Sequence, residues 1–384
     1  MHVPQVLFHL NNSIMNYKLY TILLIICIIP FSGNSQNDCW PAYRGNQELT
    51  GVADVKIPDS LKLLWTFKTD DIIKSSPVSC GNNIFFGTND GSVYSISKNG
   101  QLNWKFKTVT SVEAPPLYLD NTIFVGSLEG IMYALDAQTG DKKWEYITDG
   151  QISGAANWTY TANKKSKQII FGSYDYFLHS VDAETGGLLW KYETYNYING
   201  APAIIGETAI FGGCDGFLHL VNTQNQEKHD TIDIGTYIAS SAAIENENAF
   251  FGNYDGVFFN VDIPNKKIIW TNDEAGSYIG SPAVYGNKVV IGSQNKNLYC
   301  FDKSSGKVLW IFKTLRKIES SPVIADNKVI ITSTDGRIYI LDLQTGKKIW
   351  SYEIGSPISS TPAVLKNMII VSAHDGRVYA FGKK

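Results

Sequence analysis

Cysteine is scarce in this chain, with five in 384 residues, no C-x-x-C and no close pair. That removes zinc, iron–sulfur and dithiol redox motifs, all of which need clustered thiolates. Cys27 falls inside an apolar N-terminal run, while Cys39, Cys80, Cys214 and Cys300 are dispersed. An oxidising compartment allows one bridge, Cys39 with Cys80 first among the pairs. Spacing does not fix that pairing, and Cys80, Cys214 and Cys300 read equally as small apolar strand residues. An excess of either charge is also missing, with 33 Lys and Arg against 36 Asp and Glu. Nothing would hold a polyanion, which excludes nucleic acid as a partner. Neither G-x-x-x-x-G-K-[ST] nor a G-x-G-x-x-G leading into a helix occurs, so no phosphate cradle is expected.

Long apolar runs are limited to one, Leu19–Ile29, flanked by Lys18 and by Pro30 and the small polar stretch Ser32–Ser35. It is short for a bilayer span and has the layout of a secretory signal peptide. Residues 1–35 are therefore expected to be removed, with translation starting at Met15 and cleavage after Ser35. The mature chain should be exported, periplasmic or extracellular, with no transmembrane helix. Residues 36–59 form an N-terminal segment and residues 60–384 the folded body.

What the chain has in abundance is glycine (33 residues) and aromatics (12%), the composition of a turn-rich β protein. Three marks recur in fixed order. A small-residue pair falls at Ser76-Pro77, Ala114-Pro115, Gly154-Ala155, Ala201-Pro202, Ser241-Ala242, Ser281-Pro282, Ser321-Pro322 and Thr361-Pro362. A polar turn follows at Asp90, Glu129, Asp175, Asp215, Asp255, Asn295, Asp335 and Asp375, and a Trp closes most units at 104, 144, 190, 270, 310 and 350. Eight units of about forty residues predict an all-β, eight-bladed β-propeller with four-stranded blades. Asp-Gly between β-branched runs supplies the hairpins. The last unit ends at Lys384 without a Trp strand, while an orphan strand, Leu63-Leu64-Trp65-Thr66-Phe67-Lys68, precedes the first. Pairing the two closes the ring with the N-terminal strand in the eighth blade and removes an exposed sheet edge. A monomer is expected.

Ala134-x-Asp136-x-x-x-Gly140-x-x-x-Trp144, and its echoes at Asp182/Gly186/Trp190, Asp302/Gly306/Trp310 and Asp342/Gly346/Trp350, resemble the tryptophan-docking motif of the PQQ-like (quinoprotein-like) propeller family. The resemblance covers residues 40–384. It implies that Trp65, Trp104, Trp144, Trp190, Trp270, Trp310 and Trp350 lie between neighbouring blades as structural docking groups. Trp40-Pro41-Ala42-Tyr43-Arg44-Gly45 resembles the W-P-x-x-R-G opening common in that family and reads as a structural lid on one face. Two branches imply different functions. Quinone-dependent alcohol and sugar dehydrogenases use pyrroloquinoline quinone with Ca2+, an Asp base and often a disulfide of adjacent cysteines. The BamB branch, similar to this chain in length and blade count, comprises non-catalytic lipoproteins that assist outer-membrane β-barrel assembly. This chain lacks the adjacent cysteines, and neither Cys27 nor Cys39 follows a small residue as a lipoprotein Cys does. Thr314-Leu315-Arg316-Lys317 partly resembles that branch's Leu-x-Leu-Arg partner-binding segment, making Leu315 and Arg316 candidates, but the next loop, Glu353–Pro357, lacks the acidic pair that accompanies it.

No catalytic, cofactor or metal residue is expected. His179 and His219 occupy a position held elsewhere by Tyr94, Tyr133, Phe259, Tyr299, Tyr339 and Tyr379, which marks an aromatic packing site. His229 and His374 lie in turns without an obvious partner. The acidic turn residues recur once per blade and read as turn formers. Variation between units is more informative. The loops entering the inner strands carry Tyr195, Asn196, Tyr197, Tyr237 and Tyr278 in the middle units, against Lys74, Glu113, Arg316, Lys317 and Glu319 elsewhere. Tyr195, Tyr197, Tyr237 and Tyr278 therefore form a candidate partner-binding patch at the channel mouth, or else plug the channel. The function expected first is a non-enzymatic interaction scaffold of the bacterial envelope, engaging another envelope protein. The second is a quinone-binding oxidoreductase or its remnant, and the third a secreted carbohydrate-binding propeller.

Overall fold

The computed structural model describes residues 1–2 and 39–383; the expected signal peptide and its cleavage point lie outside them. Within Asn37–Lys384, a compact unit of its own, the chain forms eight four-stranded antiparallel sheets arranged as the blades of a β-propeller. Among the described residues no helix is long and apolar enough to cross a membrane.

The seventh blade shows why this sequence makes blades. Its strands are Val323–Ala325, Lys328–Thr332, Arg337–Asp342 and Lys348–Glu353, counted outward from the axis. The two middle strands are buried on both faces, against the blades on either side, so they read as continuous apolar runs (Val-Ile-Ile, Ile-Tyr-Ile-Leu). The outer strand keeps polar residues toward water. Asp335 closes the middle hairpin by accepting the Arg337 N–H at 3.0 Å, and Gly336 takes the positive φ (81°) that the turn needs.

The orphan strand pairs as its position requires. Lys62–Lys68 lies antiparallel to Arg377–Gly382 and completes the eighth blade. The ring also closes through a ladder of backbone N–H groups bonded to the hydroxyl of the next blade. Ala201 donates to Ser241 (2.8 Å), Ser241 to Ser281 (3.0 Å), Ser281 to Ser321 (2.8 Å), Ser321 to Thr361 (3.2 Å), and Thr361 back to Ser76 (2.9 Å). The recurring small hydroxylic residue before Pro or Ala is thus a blade-to-blade link.

Five of the tryptophans dock on the next blade in one way. Trp65, Trp104, Trp144, Trp270 and Trp310 donate their indole N–H to the carbonyls of Lys98, Ala137, Ala183, Lys303 and Leu343 at 2.7–3.1 Å. Their rings lie against Gly100, Gly140, Gly186, Gly306 and Gly346, where any Cβ would collide with them. Trp190 and Trp350 also lie against the next blade, as expected, but without a glycine turn as their seat. The fourth blade has no glycine turn to receive Trp190, whose indole bonds instead to Gln168 Oε1 at 2.8 Å within its own blade. The eighth blade has no such turn either, and Trp350 packs on Tyr352 and Phe381. A β-bulge sits opposite each Trp of the six units that end in one, as between Ala134 and Leu135, whereas the fourth blade, with Thr231-Ile232 in place of Trp, pairs without one.

Candidate interaction surfaces and the axial cup

The two faces of the propeller differ in what builds them. One carries the loops that join blades together with the Asp-Gly turns, and is called here the loop face. The other carries the remaining tight turns and the segment from Cys39 to Ile57.

That segment is a belt that meets every blade in order. Trp40 exchanges two backbone hydrogen bonds with Ser79 of the first blade (2.7 and 2.9 Å), and Pro41 accepts from Tyr118 of the second (2.7 Å). The Gln47 side chain donates to Trp158 of the third (2.6 Å), and its carbonyl accepts from Ile204 of the fourth (2.8 Å). Glu48, Thr50, Gly51 and Lys56 then accept from Ile244, Val284, Ile324 and Asn367 of the fifth to eighth blades at 2.8–3.3 Å. The Cys39–Cys80 disulfide fixes its start to the first blade. Cys300 is buried, and its thiol is pushed up to about 12 chiefly by that burial, which makes it inert.

At the centre of the belt, Tyr43 and Arg44 plug the axis. The Tyr43 hydroxyl bonds to Ser321 (2.9 Å) and Ser281 (3.3 Å). Arg44 is wholly buried and donates to the carbonyls of Pro322 (2.6 Å) and Pro282 (2.7 Å). Burial lowers its pKa from 12.5 to about 10, with Tyr43 acting in the opposite direction, and this still leaves the guanidinium charged at neutral pH. Gly51 is required beneath it, since a Cβ there would overlap the guanidinium and the backbone φ is +68°.

Above the plug lies an axial cup of about 150 Å³, lined by small residues such as Ser76, Ser153, Asn199 and Ser241, with Tyr43 as its floor. Pyrroloquinoline quinone is a tricarboxylate, and its partners need cations and a calcium site. Glu319 is the one charged side chain lining the cup. Among the described residues no three His, Cys, Asp or Glu stand close enough together to hold a metal ion. The residues lining the cup do not fit that cofactor.

His179 and His219 are buried and stack on Phe171 and Phe211. Each also bonds through Nε2 to a turn carboxylate, Asp175 at 3.0 Å and Asp215 at 2.8 Å, and through Nδ1 to Tyr146 or Tyr192. Burial acts to raise the pKa of Asp175 and Asp215, but the histidine contacts together with hydrogen bonds from nearby backbone outweigh it and hold both carboxyls below their ordinary value. Tyr133, Tyr339 and Tyr379 place their hydroxyls on Glu129, Asp335 and Asp375 in the same way. The histidines thus replace tyrosine in a strand-to-turn hydrogen bond. His374 differs. It lines a loop-face cleft with Arg316, Lys317 and Glu319, and its Nε2 lies 2.7 Å from the Ser359 hydroxyl. Burial, with Lys74 adding, lowers its pKa.

The candidate partner-binding residues fall into two groups on the loop face. Leu315 and Arg316 lie between the sixth and seventh blades, Leu315 exposed and its N–H bonded to Asp335 at 3.0 Å. Tyr195 (84% exposed), Tyr197 (41%) and Tyr237 (37%) lie on the loops between the third and fifth blades. Tyr278 does not join them. It is fully buried, because it occupies the position of Ile198, Ile238 and Ile318, each packed on the glycine of its blade, here Gly252. Sequence reasoning missed Tyr174 and Tyr254, which sit in the hairpin turns. Tyr174 stacks on Tyr197 (centroids 4.8 Å apart) and Tyr254 on Tyr237 (4.7 Å), with Tyr176 tilted against Tyr197 (5.3 Å). The turns at Tyr174, Cys214 and Tyr254 vary from blade to blade, and that variation was the available signal. Cys214, between the two pairs, receives a hydrogen bond from Asn199, and burial raises its thiol pKa.

Eight four-stranded blades, an N-terminal strand in the last of them and tryptophans docked on glycine turns define a PQQ-like β-propeller. A family model described as outer membrane protein assembly factor BamB matches residues 55–202, 198–312 and 305–384, and the chain belongs to that family. Among solved structures, BamB from Moraxella catarrhalis is similar at 17% identity and a TM-score of 0.73, over 84% of this chain and 100% of that one. Quinohemoprotein alcohol dehydrogenase from Comamonas testosteroni is similar at 13% identity and a TM-score of 0.77, over 90% of this chain and 81% of that one. The computationally designed protein Ika8 is similar at 18% identity and a TM-score of 0.72, over 84% of this chain and 100% of that one. A search of curated proteins finds no match. One fold thus spans an assembly factor, an oxidoreductase and a design, so function must be argued from the surfaces.

Proposed function

We propose that this chain is a non-enzymatic docking scaffold of the bacterial envelope, exported through its N-terminal signal, whose loop face holds another envelope protein. One observation carries the reading. The axial position where a quinone would sit is a plugged cup with a single carboxylate and no cation on its wall, while the loop face carries exposed residues that differ from blade to blade, among them Tyr195, Tyr197, Tyr237 and Leu315. The oxidoreductase reading rests on likeness of fold alone. A role in outer-membrane β-barrel assembly follows from the family and is supported by the loop-face position of Leu315 and Arg316.

The reading is tested by purifying the tagged mature chain from native envelopes and titrating it with pyrroloquinoline quinone and Ca2+. Co-purifying envelope proteins, a colourless eluate and no quinone binding are expected. Saturable quinone binding with alcohol- or sugar-dependent dye reduction would overturn it in favour of the enzyme.

A further inference from the structure

The joining loops and hairpin turns of the third to fifth blades are aromatic, and their charged residues are all acidic. In the joining loops and hairpin turns from Asp149 to Pro282 the charged side chains are Asp149, Asp175, Asp215, Asp255, Asp273 and Glu274, with no Lys, Arg or His among them. Asp149, Asp255, Asp273 and Glu274 are exposed. Basic side chains of this face, Lys74, Lys296, Arg316 and Lys317, all belong to the other half. Through the same blades run the two stacked pairs, Tyr174 with Tyr197 and Tyr237 with Tyr254, and the protruding Tyr195 and Tyr176.

None of these rings is needed to build a blade. The position of Tyr197 and Tyr237 is Ile72, Ser111, Gln151, Ser277, Lys317 or Pro357 in other units, and that of Tyr174 and Tyr254 is Asn89, Leu128, Cys214, Gln294, Thr334 or His374. Electron-rich rings set among carboxylates attract cations: the ring quadrupole contributes about 0.5–1 kcal/mol per exposed contact, and each carboxylate adds a charge-assisted hydrogen bond. The chain already uses this chemistry internally. The Lys105 ammonium sits 5.1 Å over the Tyr94 ring while bonding to Asp70 at 2.7 Å.

We propose that the tyrosine strip of the third to fifth blades binds a lysine- or arginine-bearing segment of the partner protein. The proposal rests on the docking-scaffold reading and names the chemistry of the partner. A neutral sugar would use the rings but gain little from the exposed carboxylates of Asp149, Asp255, Asp273 and Glu274. An acidic segment would be repelled.

The test uses the mature chain and a labelled peptide of alternating Lys and Ser, with its Glu–Ser counterpart and a neutral oligosaccharide as comparators. Fluorescence anisotropy should show binding of the Lys–Ser peptide, weakening with salt. Tyr195→Ser/Tyr197→Ser/Tyr237→Ser should weaken it about tenfold while every carboxylate is kept, and Asp255→Asn/Glu274→Gln should weaken it while every ring is kept. Tyr285→Ser, an exposed position on the opposite face, should leave it unchanged. Equal binding to the tyrosine variant, equal binding of the Glu–Ser peptide, or capture of the oligosaccharide instead would overturn the proposal. The tyrosine variant also separates it from the scaffold reading. An envelope protein that still co-purifies with that variant would contradict only the cationic-segment proposal, whereas no co-purifying protein even with the wild type would contradict the scaffold.

Discussion

Arg44 holds a buried positive charge on the propeller axis with carbonyl oxygens as its partners, and its Nε finds none. Buried charges of this kind persist when neighbouring groups depend on them. Here the carbonyls of Pro282 and Pro322 would lose their donors, so Arg44→Met should destabilise the protein by roughly 2–4 kcal/mol in denaturant unfolding. Tyr278 poses the opposite case. Its hydroxyl is buried without a partner, and Tyr278→Phe should leave the unfolding midpoint unchanged or raise it, because the phenyl ring fills the same space on Gly252. Asp90 carries a pH dependence. Burial acts to raise its pKa, but the Thr88 hydroxyl, Lys107 and Ser92 outweigh burial and lower it from 3.8 to about 2. A carboxyl depressed on folding stabilises the native state fully above its unfolded value near 3.8 and loses that contribution as the pH falls through about 2. The difference in melting temperature between wild type and Asp90→Asn should therefore be constant above the ordinary carboxylate range and shrink in more acid solution.

At the scale of the element, the outer strand with its bulge and docked Trp is the unit that joins one blade to the next. Trp104 is buried, bonded to Ala137 and seated on Gly140. Trp104→Ala should cost about 3–5 kcal/mol by denaturant titration; a loss under 1 kcal/mol would mean that the ring is not what links the first two blades. Most of this was legible in the sequence, because a repeat makes eight independent statements of the same strand pattern. Closure was legible for the same reason, an orphan strand at one end and a vacancy at the other. The belt was not, because Cys39 to Ile57 has no period: it follows the ring once and makes a different contact with each blade. Tyr278 was misplaced because it stands forty-one residues after Tyr237, one more than the spacing of equivalent positions, and a shift of one residue in these loops exchanges the surface for the core. The partners of His179 and His219 were hidden because the same position is aromatic in the other units, so the histidines read as packing residues.

For the whole molecule, the ring is held shut by the pairing of Lys62–Lys68 with Arg377–Gly382, by the hydroxyl ladder, and by the belt tied through Cys39–Cys80. The bridge spans a sequence separation of 41, for which chain entropy alone gives about 4 kcal/mol. Cys39→Ser should lower the unfolding midpoint under oxidising conditions and abolish its sensitivity to reductant, while wild type should fall to the variant's value once reduced. The docking-scaffold reading assigns the working surface to the loop face, opposite the belt. A photo-crosslinking residue placed at Tyr195 or Tyr237 on that face, and at Gly81 or Gly206 on the opposite one, tests this most directly in native envelopes. Adducts to a protein partner from positions 195 and 237, and none from 81 and 206, are the predicted result; adducts from 81 or 206 alone, or from no position, would contradict the account.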